Sequence, residues 1–286
     1  MPITRRSFAS GLIAAGAAAG APLRAAHAQM TIAAAPPLVT DRPRWQRLAV
    51  PGAPMDGRPT ITIVIDDLGV IHPWTSRAAA LPGPLTLAWF PFARSLPEQI
   101  GEARLRGHEA ILHMPMQAFS NSTAWTGPDP LRIDLPLPEN LRRLQAALDA
   151  VPDTVGLNNH MGSVATRSEP LMDLVAAEAK RRDMLVLDSV TIGHSLAYRQ
   201  AALAGVPAAS RDIFIDNSND SASIRGQLAL IEATARRQGH VIAIGHARPL
   251  TVEALDTWLP TLHARGFVLQ PLSATVAFRN EIPFPV

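Results

Sequence analysis

Asp66-Asp67, His113, Asn158-Asn159-His160, Asp188, Asp216 and His246 each stand directly behind a short apolar run, and each can bind a cation or move a proton. The runs are Ile61 to Ile65, Ile111-Leu112, Val155 to Leu157, Leu185 to Leu187, Ile213 to Ile215 and Ile242 to Gly245. If they are parallel strands of one barrel, all six ends meet at the C-terminal mouth, where such folds place their chemistry. One such residue carries little information; six in phase define a site.

Two neighbouring carboxylates at a strand end repel unless a cation or a proton relieves them. Side chains alternate along a strand, so one of Asp66 and Asp67 can face an ion while the other accepts a proton. A pair of turn-forming aspartates is the competing reading, as is a hydrogen-bonded structural role for His113 and His246. His160 stands apart, because Asn158 to Ser163 reads as a polar, glycine-containing turn where a buried structural histidine is not expected. Two histidines and a carboxylate with open positions suit Zn²⁺, and also Fe²⁺, Mn²⁺ or Co²⁺. Such an ion acidifies water and polarises a carbonyl, so the implied reaction is hydrolysis of an amide or ester. Asp188 and Asp216 could support the site or simply cap loops. His108, His194, His240 and His263 fall beside helix ends and turns, where solvated roles are expected, while the turn after Asp67 could bring His72 near the mouth. Trp74, Trp89, Phe90 and Trp125 could stack on sugar rings, although core packing is the favoured role for most of them.

The elements needed to position these groups are legible. Further apolar runs at Leu85 to Phe90, Glu109 to Leu112, Met184 to Leu187 and Phe267 to Leu269 read as strands. Between the runs lie helical faces: Leu171, Leu174, Val175 and Ala179 behind Ser168; Ile224, Leu228, Ile231 and Ala235 behind Ser221; and Leu141, Leu144, Leu148 and Val151. Three junctions, Arg106-Gly107, Gln238-Gly239 and Arg265-Gly266, place a glycine between a helix end and a strand. Pro260 should kink a helix expected over residues 252–264. Alternation of strand and helix implies a parallel sheet, and about seven such units give an α/β barrel of one domain. An open doubly wound sheet is the alternative. Phosphate-cradling glycine motifs are absent from the sequence.

The chain has 286 residues, 47% of them hydrophobic, which is enough for a full core. It has no cysteine, which excludes disulfides, thiolate metal sites and cysteine nucleophiles. Thr4-Arg5-Arg6-Ser7-Phe8, a weakly apolar Gly/Ala stretch and Ala26-His27-Ala28 read as an export signal of the twin-arginine type over residues 1–28. Its removal takes away three arginines and no acid, so 26 basic against 24 acidic residues becomes 23 against 24. A mature charge near zero, with no basic stripe, argues against a nucleic-acid partner. The remainder is expected to be periplasmic or secreted, with no stable membrane insertion after cleavage. Residues 29–57 read as a Pro/Ala-rich linker or surface-hugging arm, 58–278 as the barrel and 279–286 as a tail.

At these positions the sequence resembles the divergent polysaccharide deacetylase family, a branch of the NodB-like carbohydrate deacetylases. The matching blocks are Ile63 to Gly69, Leu112 to Met116, Gly156 to Ser163, Leu187 to Ser189 and Ile242 to Pro249. The resemblance implies a distorted (β/α)7 barrel and removal of an N-acetyl group from a glycan. It implies Asp66 as base, Asp67 and His113 as metal ligands, and His246 as the acid that protonates the leaving amine. His160 is assigned as third ligand, Asp188 is grouped with the catalytic residues, and Asn158, Asn159 and Ser163 with substrate binding. The conventional enzymes carry a second histidine four residues after the first, where this chain has Gln117. A non-catalytic glycan-binding or regulatory protein, or a metal-dependent hydrolase of another amide or ester, are the alternatives.

Overall fold

The computed structural model describes residues 42–54, 56–119 and 126–284. The export signal, the arm up to residue 41, Trp125 and the side chain of His72 lie outside the described residues.

The strands are β1 (Thr60–Leu68), β2 (Thr86–Trp89), β3 (Glu109–Met116), β4 (Gly156–Met161), β5 (Leu185–Asp188), β6 (Ala208–Ser210), β7 (Ile213–Phe214), β8 (His240–His246) and β9 (Val268–Leu269). They form one parallel sheet in the order β6-β5-β4-β3-β2-β1-β8-β7. β6 hydrogen-bonds to β5, and β7, two residues further on, to β8. Between them the Arg211 amide donates to Asp188 O (2.9 Å) and the Asp212 amide to Ile242 O (2.9 Å). One short segment therefore spans the gap between the sheet's two ends. Counted as a single broken strand, it makes seven staves, and the distorted (β/α)7 barrel is the observed architecture. β9 pairs with the first two residues of β1, and β2 takes up the pairing further along, from Val64.

The helices are α1 (Arg44–Leu48), α2 (His72–Ala79), α3 (Leu96–Leu105), α4 (Leu137–Ala150), α5 (Glu169–Arg181), α6 (Ala197–Leu203), α7 (Ser221–Gln238), α8 (Pro249–Trp258) and α9 (Leu272–Arg279). Ile61, Ile63 and Ile65 of β1 pack with helix residues such as Leu144, Leu171, Val175, Ile224 and Ile231. Val64 packs instead with Ile111, Leu185, Leu187, Ile242 and Ile244 in the barrel interior. Both strand faces are buried, which is why the strands read as unbroken apolar runs.

α9 fills the floor of the barrel. Its Leu272, Val276 and Ala277 join the interior cluster, Thr275 Oγ1 shares a hydrogen bond with Thr62 Oγ1 (2.7 Å), and the Ser273 amide donates to buried Glu109 (3.1 Å). Burial pushes the Glu109 carboxyl up, against the pull of its hydrogen bonds from Ser273. Part of the stretch read as linker or arm packs here too. Trp45 of α1 is 2% exposed, stacks on Phe284 at 6.1 Å, and donates its amide to Asp183 O.

Gly107 and Gly239 have φ of +85° and +83°, a left-handed backbone that turns each helix end into its strand without steric cost, whereas Gly266 (φ +81°) closes a turn ahead of β9 and ends no helix, since α8 stops at Trp258. Pro260 does not kink a longer helix: α8 stops at Trp258 and a single 3₁₀ turn, Leu259–Thr261, carries the proline. The missing N–H and the ring's bulk end the α-helical ladder there. His108 departs from its expected solvated role. It is fully buried, and its Nδ1 accepts from the Leu85 amide at 3.1 Å.

Candidate metal centre and active site

Alternation along the strands sorts the polar residues. On β1 the set that includes Val64 faces the interior, and Asp66 extends it. On β3 the interior set of Glu109 and Ile111 extends to His113. In the β3–β4 ladder His113 pairs with Asn158 and Pro115 with His160. β4 therefore runs on through Met161 and does not stop at Leu157, so His160 belongs to the strand and not to a turn. The turn begins at Gly162 (φ +95°), where a Cβ would meet Thr166 Cγ2 at 2.9 Å. In the β1–β8 ladder Asp66 and His246 are direct partners.

Asp67 breaks this alternation. The β1–β2 register shifts between Ile65 and Leu68, and Asp67 takes φ +65°. The distortion brings both carboxylates to one cavity. A non-glycine residue held in this region stores on the order of 1–3 kcal/mol, a cost that clusters at functional sites.

The cluster is tight. Asp67 Oδ1 lies 3.3 Å from His113 Nε2 and 3.2 Å from His160 Nδ1, and the two ring nitrogens are 3.1 Å apart. Ligand atoms bonded to one ion at about 2.0–2.2 Å, with angles between octahedral and tetrahedral, stand roughly 2.8–3.6 Å from each other. Asp67 Oδ1 is buried and makes no hydrogen bond. One carboxylate oxygen and two imidazole nitrogens at these separations fit a divalent cation, and zinc suits the donor set. Burial alone would raise the Asp67 carboxyl, but His113 and His160 hold it well below the usual carboxylate range. Burial lowers His113, yet Asp66 and Asp67 outweigh that and raise it. Asp66 is raised by burial, with His113 and His246 pulling the other way.

Opposite the cluster, His246 Nδ1 lies 2.8 Å from Asp216 Oδ1, while Asp216 Oδ2 accepts from the His246 amide (2.9 Å) and the Thr251 hydroxyl (2.7 Å). A carboxylate so engaged orients the imidazole and leaves Nε2 as the ring's other proton-carrying atom. Burial opposes the charge on His246, but Asp216 raises it overall. Asp216, which sequence reasoning left between site support and loop capping, thus holds His246.

These groups border one cavity of about 330 Å³, lined by Asp66, Asp67, His113, His160, His246, Asn159 and Ser189 with Ile71, Met161 and Phe214. A larger groove of about 550 Å³ between α7 and α8 contains none of them. Three expected site residues are not brought to the cavity. Asp188 points away from the interior, and its carboxylate accepts from the Val190 (2.8 Å) and Tyr198 (3.2 Å) amides, which pins the strand-end turn. Ser163 Oγ accepts from the Phe119 amide and shapes a loop. Asn158 lies beneath the cavity, 1% exposed. Asn159 borders it but uses its amide on Ser189 N and Met161 O. Gln117 does not substitute for a ligand histidine, because its Oε1 accepts from the Ile133 amide at 2.9 Å. Phe90 supports the imidazoles, with ring centroids 5.1 Å from His113 and 4.7 Å from His160. Trp89 is core, and Trp74 lies under Arg77. Sequence reasoning missed Ser189, Phe214 and Arg248 as cavity residues. For Ser189 the signal was present, since Leu185 and Leu187 set an inward phase that reaches it.

Fold and cluster together define a parallel (β/α)7 barrel carrying a His/Asp group able to hold a divalent ion. Residues 63–276 match the family model described as divergent polysaccharide deacetylase, and the chain belongs to that family. It is similar to the uncharacterized protein YibQ of Escherichia coli (strain K12), with 36% identity over 196 residues, 68% of this chain and 61% of that one. The chain thus spans about three fifths of that relative. An uncharacterized protein of Haemophilus influenzae (Rd) is 35% identical over 202 residues, 71% of each chain. Among solved structures, the uncharacterized protein ATU2773 from Agrobacterium tumefaciens C58 superposes with a TM-score of 0.77 at 26% identity, over 82% of this chain and 95% of that one.

Proposed function

We propose that this protein is a metal-dependent hydrolase that removes N-acetyl groups from a polysaccharide or cell-wall glycan in the periplasm. The observation that carries the proposal is the mutual approach of Asp67 Oδ1, His113 Nε2 and His160 Nδ1, with the carboxylate oxygen buried and otherwise unbonded. Family membership supports the reaction class. A zinc ion held there would polarise the substrate carbonyl and acidify water.

The remaining chemistry falls to the chain's own groups. Asp66, whose carboxyl burial raises above its ordinary range, takes the proton from the attacking water. His246, beside it in the ladder and with its charged form favoured by Asp216, delivers a proton through Nε2 to the departing nitrogen. Phe90 and Ser189 hold the surrounding walls. Glycan as partner follows from the family, and no helix among the described residues is long and apolar enough to cross a membrane.

Zinc-loaded protein is expected to release acetate from N-acetylated oligosaccharides or peptidoglycan fragments, with chelator stopping release and zinc restoring it. Zinc-replete protein that frees no acetate from a broad panel of such glycans would count against the proposal. The export reading is checked by cell fractionation: the chain should appear in the periplasm, and Arg5→Lys with Arg6→Lys should hold it in the cytoplasm. An unchanged distribution removes the twin-arginine route.

A further inference from the structure

Asn158 was grouped with substrate contacts, yet it does not border the cavity. Its side chain sits between three groups that do. Nδ2 lies 2.8 Å from Asp66 Oδ1 and 3.2 Å from Ser189 Oγ, and Oδ1 lies 2.7 Å from His113 Nδ1. An amide has two chemically different ends, and an ionised carboxylate only accepts. With Asp66 ionised, as its role as base requires, the NH₂ end faces it, because the reversed amide would set two acceptors against each other at 2.8 Å. Both amide protons are then used, on Asp66 and Ser189. The carbonyl end faces His113 and can only accept, so the proton of a neutral His113 ring resides on Nδ1. Its Nε2 is left as a lone pair, 3.3 Å from Asp67 Oδ1 and 3.1 Å from His160 Nδ1, in the middle of the candidate ligand cluster.

We infer that Asn158 is a positioning residue that fixes the ligand-competent tautomer of His113 and, with its other end, the carboxylate of Asp66. The inference rests on the metal-dependent reading of the site. It gives one neutral, buried side chain the two tasks that metalloenzymes commonly assign to separate outer partners, orienting a ligand and orienting a base. Neutrality matters here. Asp66 and Asp67 already place two carboxylates at the site, and a third beside Asp66 would compete with it for protons and cations.

The test compares the full chain with its Asn158→Asp and Asn158→Leu variants by three readouts. These are zinc affinity by competition with a chromogenic chelator, the His113 tautomer by long-range ¹H–¹⁵N NMR, and kcat and KM for acetate release. The wild type should show His113 protonated at Nδ1. Asn158→Asp still accepts from Nδ1–H, so zinc affinity should stay within about threefold, the outer partner being retained. It cannot hold Asp66 by donation from a neutral amide, so kcat should fall about 100-fold with KM little changed. Asn158→Leu removes both contacts and should weaken zinc about 10–100-fold as well.

A buried asparagine with only a packing role would lower melting temperature in both variants without separating zinc affinity from kcat. Wild-type His113 protonated at Nε2, Asn158→Asp losing zinc as severely as Asn158→Leu, or Asn158→Leu binding zinc like the wild type would each overturn the inference. If Asn158→Leu does not fold, the wild-type tautomer and Asn158→Asp decide. Wild type that binds zinc with the expected tautomer but releases no acetate supports the positioning role and removes the deacetylase reading.

Discussion

His160→Ala should strip the protein of tightly bound zinc. Loss of an outer partner typically weakens a metal about 10–100-fold, and loss of a direct ligand should exceed that, with acetate release falling below detection. The expectation follows from the geometry: without His160, the buried Asp67 oxygen faces a single imidazole, and two donors do not hold an ion whose sites normally supply three protein ligands. Because Phe90 packs edge-on against the His160 ring, alanine also opens a gap, so His160→Gln serves as the fuller side chain and melting curves show whether folding is kept. Gln117→His in the His160→Ala background should not restore the metal. The side chain at 117 is directed to the Ile133 amide, and the backbone there is tied to Leu131, Val164 and Ala165. Isothermal titration with zinc reads both outcomes; undiminished binding by His160→Ala removes it from the ligand set.

Asp66→Asn is expected to separate binding from turnover. The variant should keep zinc, since Asp66 is not among the three clustered donors, and lose about 10²–10⁴-fold in kcat, the usual worth of a positioned base. Activity needs Asp66 ionised and His246 protonated. Rate should therefore rise with pH through a carboxyl that burial has moved above its ordinary range, and fall through an imidazole that Asp216 has moved above its own. Asp216→Asn should draw the alkaline limb toward lower pH, because the partner that favours the charged ring is gone. The pH profile of kcat/KM checks both signs. Full activity in Asp66→Asn would remove it as the base.

Much of this site was legible before any coordinates. The phase of the apolar runs on β1, β3 and β8 carries Asp66, His113 and His246 to one mouth, because parallel strands in a barrel share a direction and their inward residues repeat every second position. His160 reaches the same mouth because β4 runs on to Met161, which its apolar run does not reveal. Glycine placement at residues 107 and 239 marked where helices end. What stayed hidden depends on contacts that no local pattern encodes. The bulge at Asp67 places a residue of the wrong phase in the cavity, and only the β1–β2 register reveals it. Asp188 stands behind an apolar run like the other site candidates, yet its phase is outward and its carboxylate closes a turn. His108 has turn-like neighbours, but the chain folds the 83–85 segment over it. Trp45 sits in a proline-rich stretch whose partner, Phe284, lies at the far end of the chain.

The most direct measurement is anomalous X-ray scattering at the zinc edge from crystals grown with the ion. The account predicts one strong peak about 2.0–2.2 Å from Asp67 Oδ1, His113 Nε2 and His160 Nδ1 together. Diffraction that shows these three side chains well ordered with no ion among them, or an ion held elsewhere in the barrel, would contradict it.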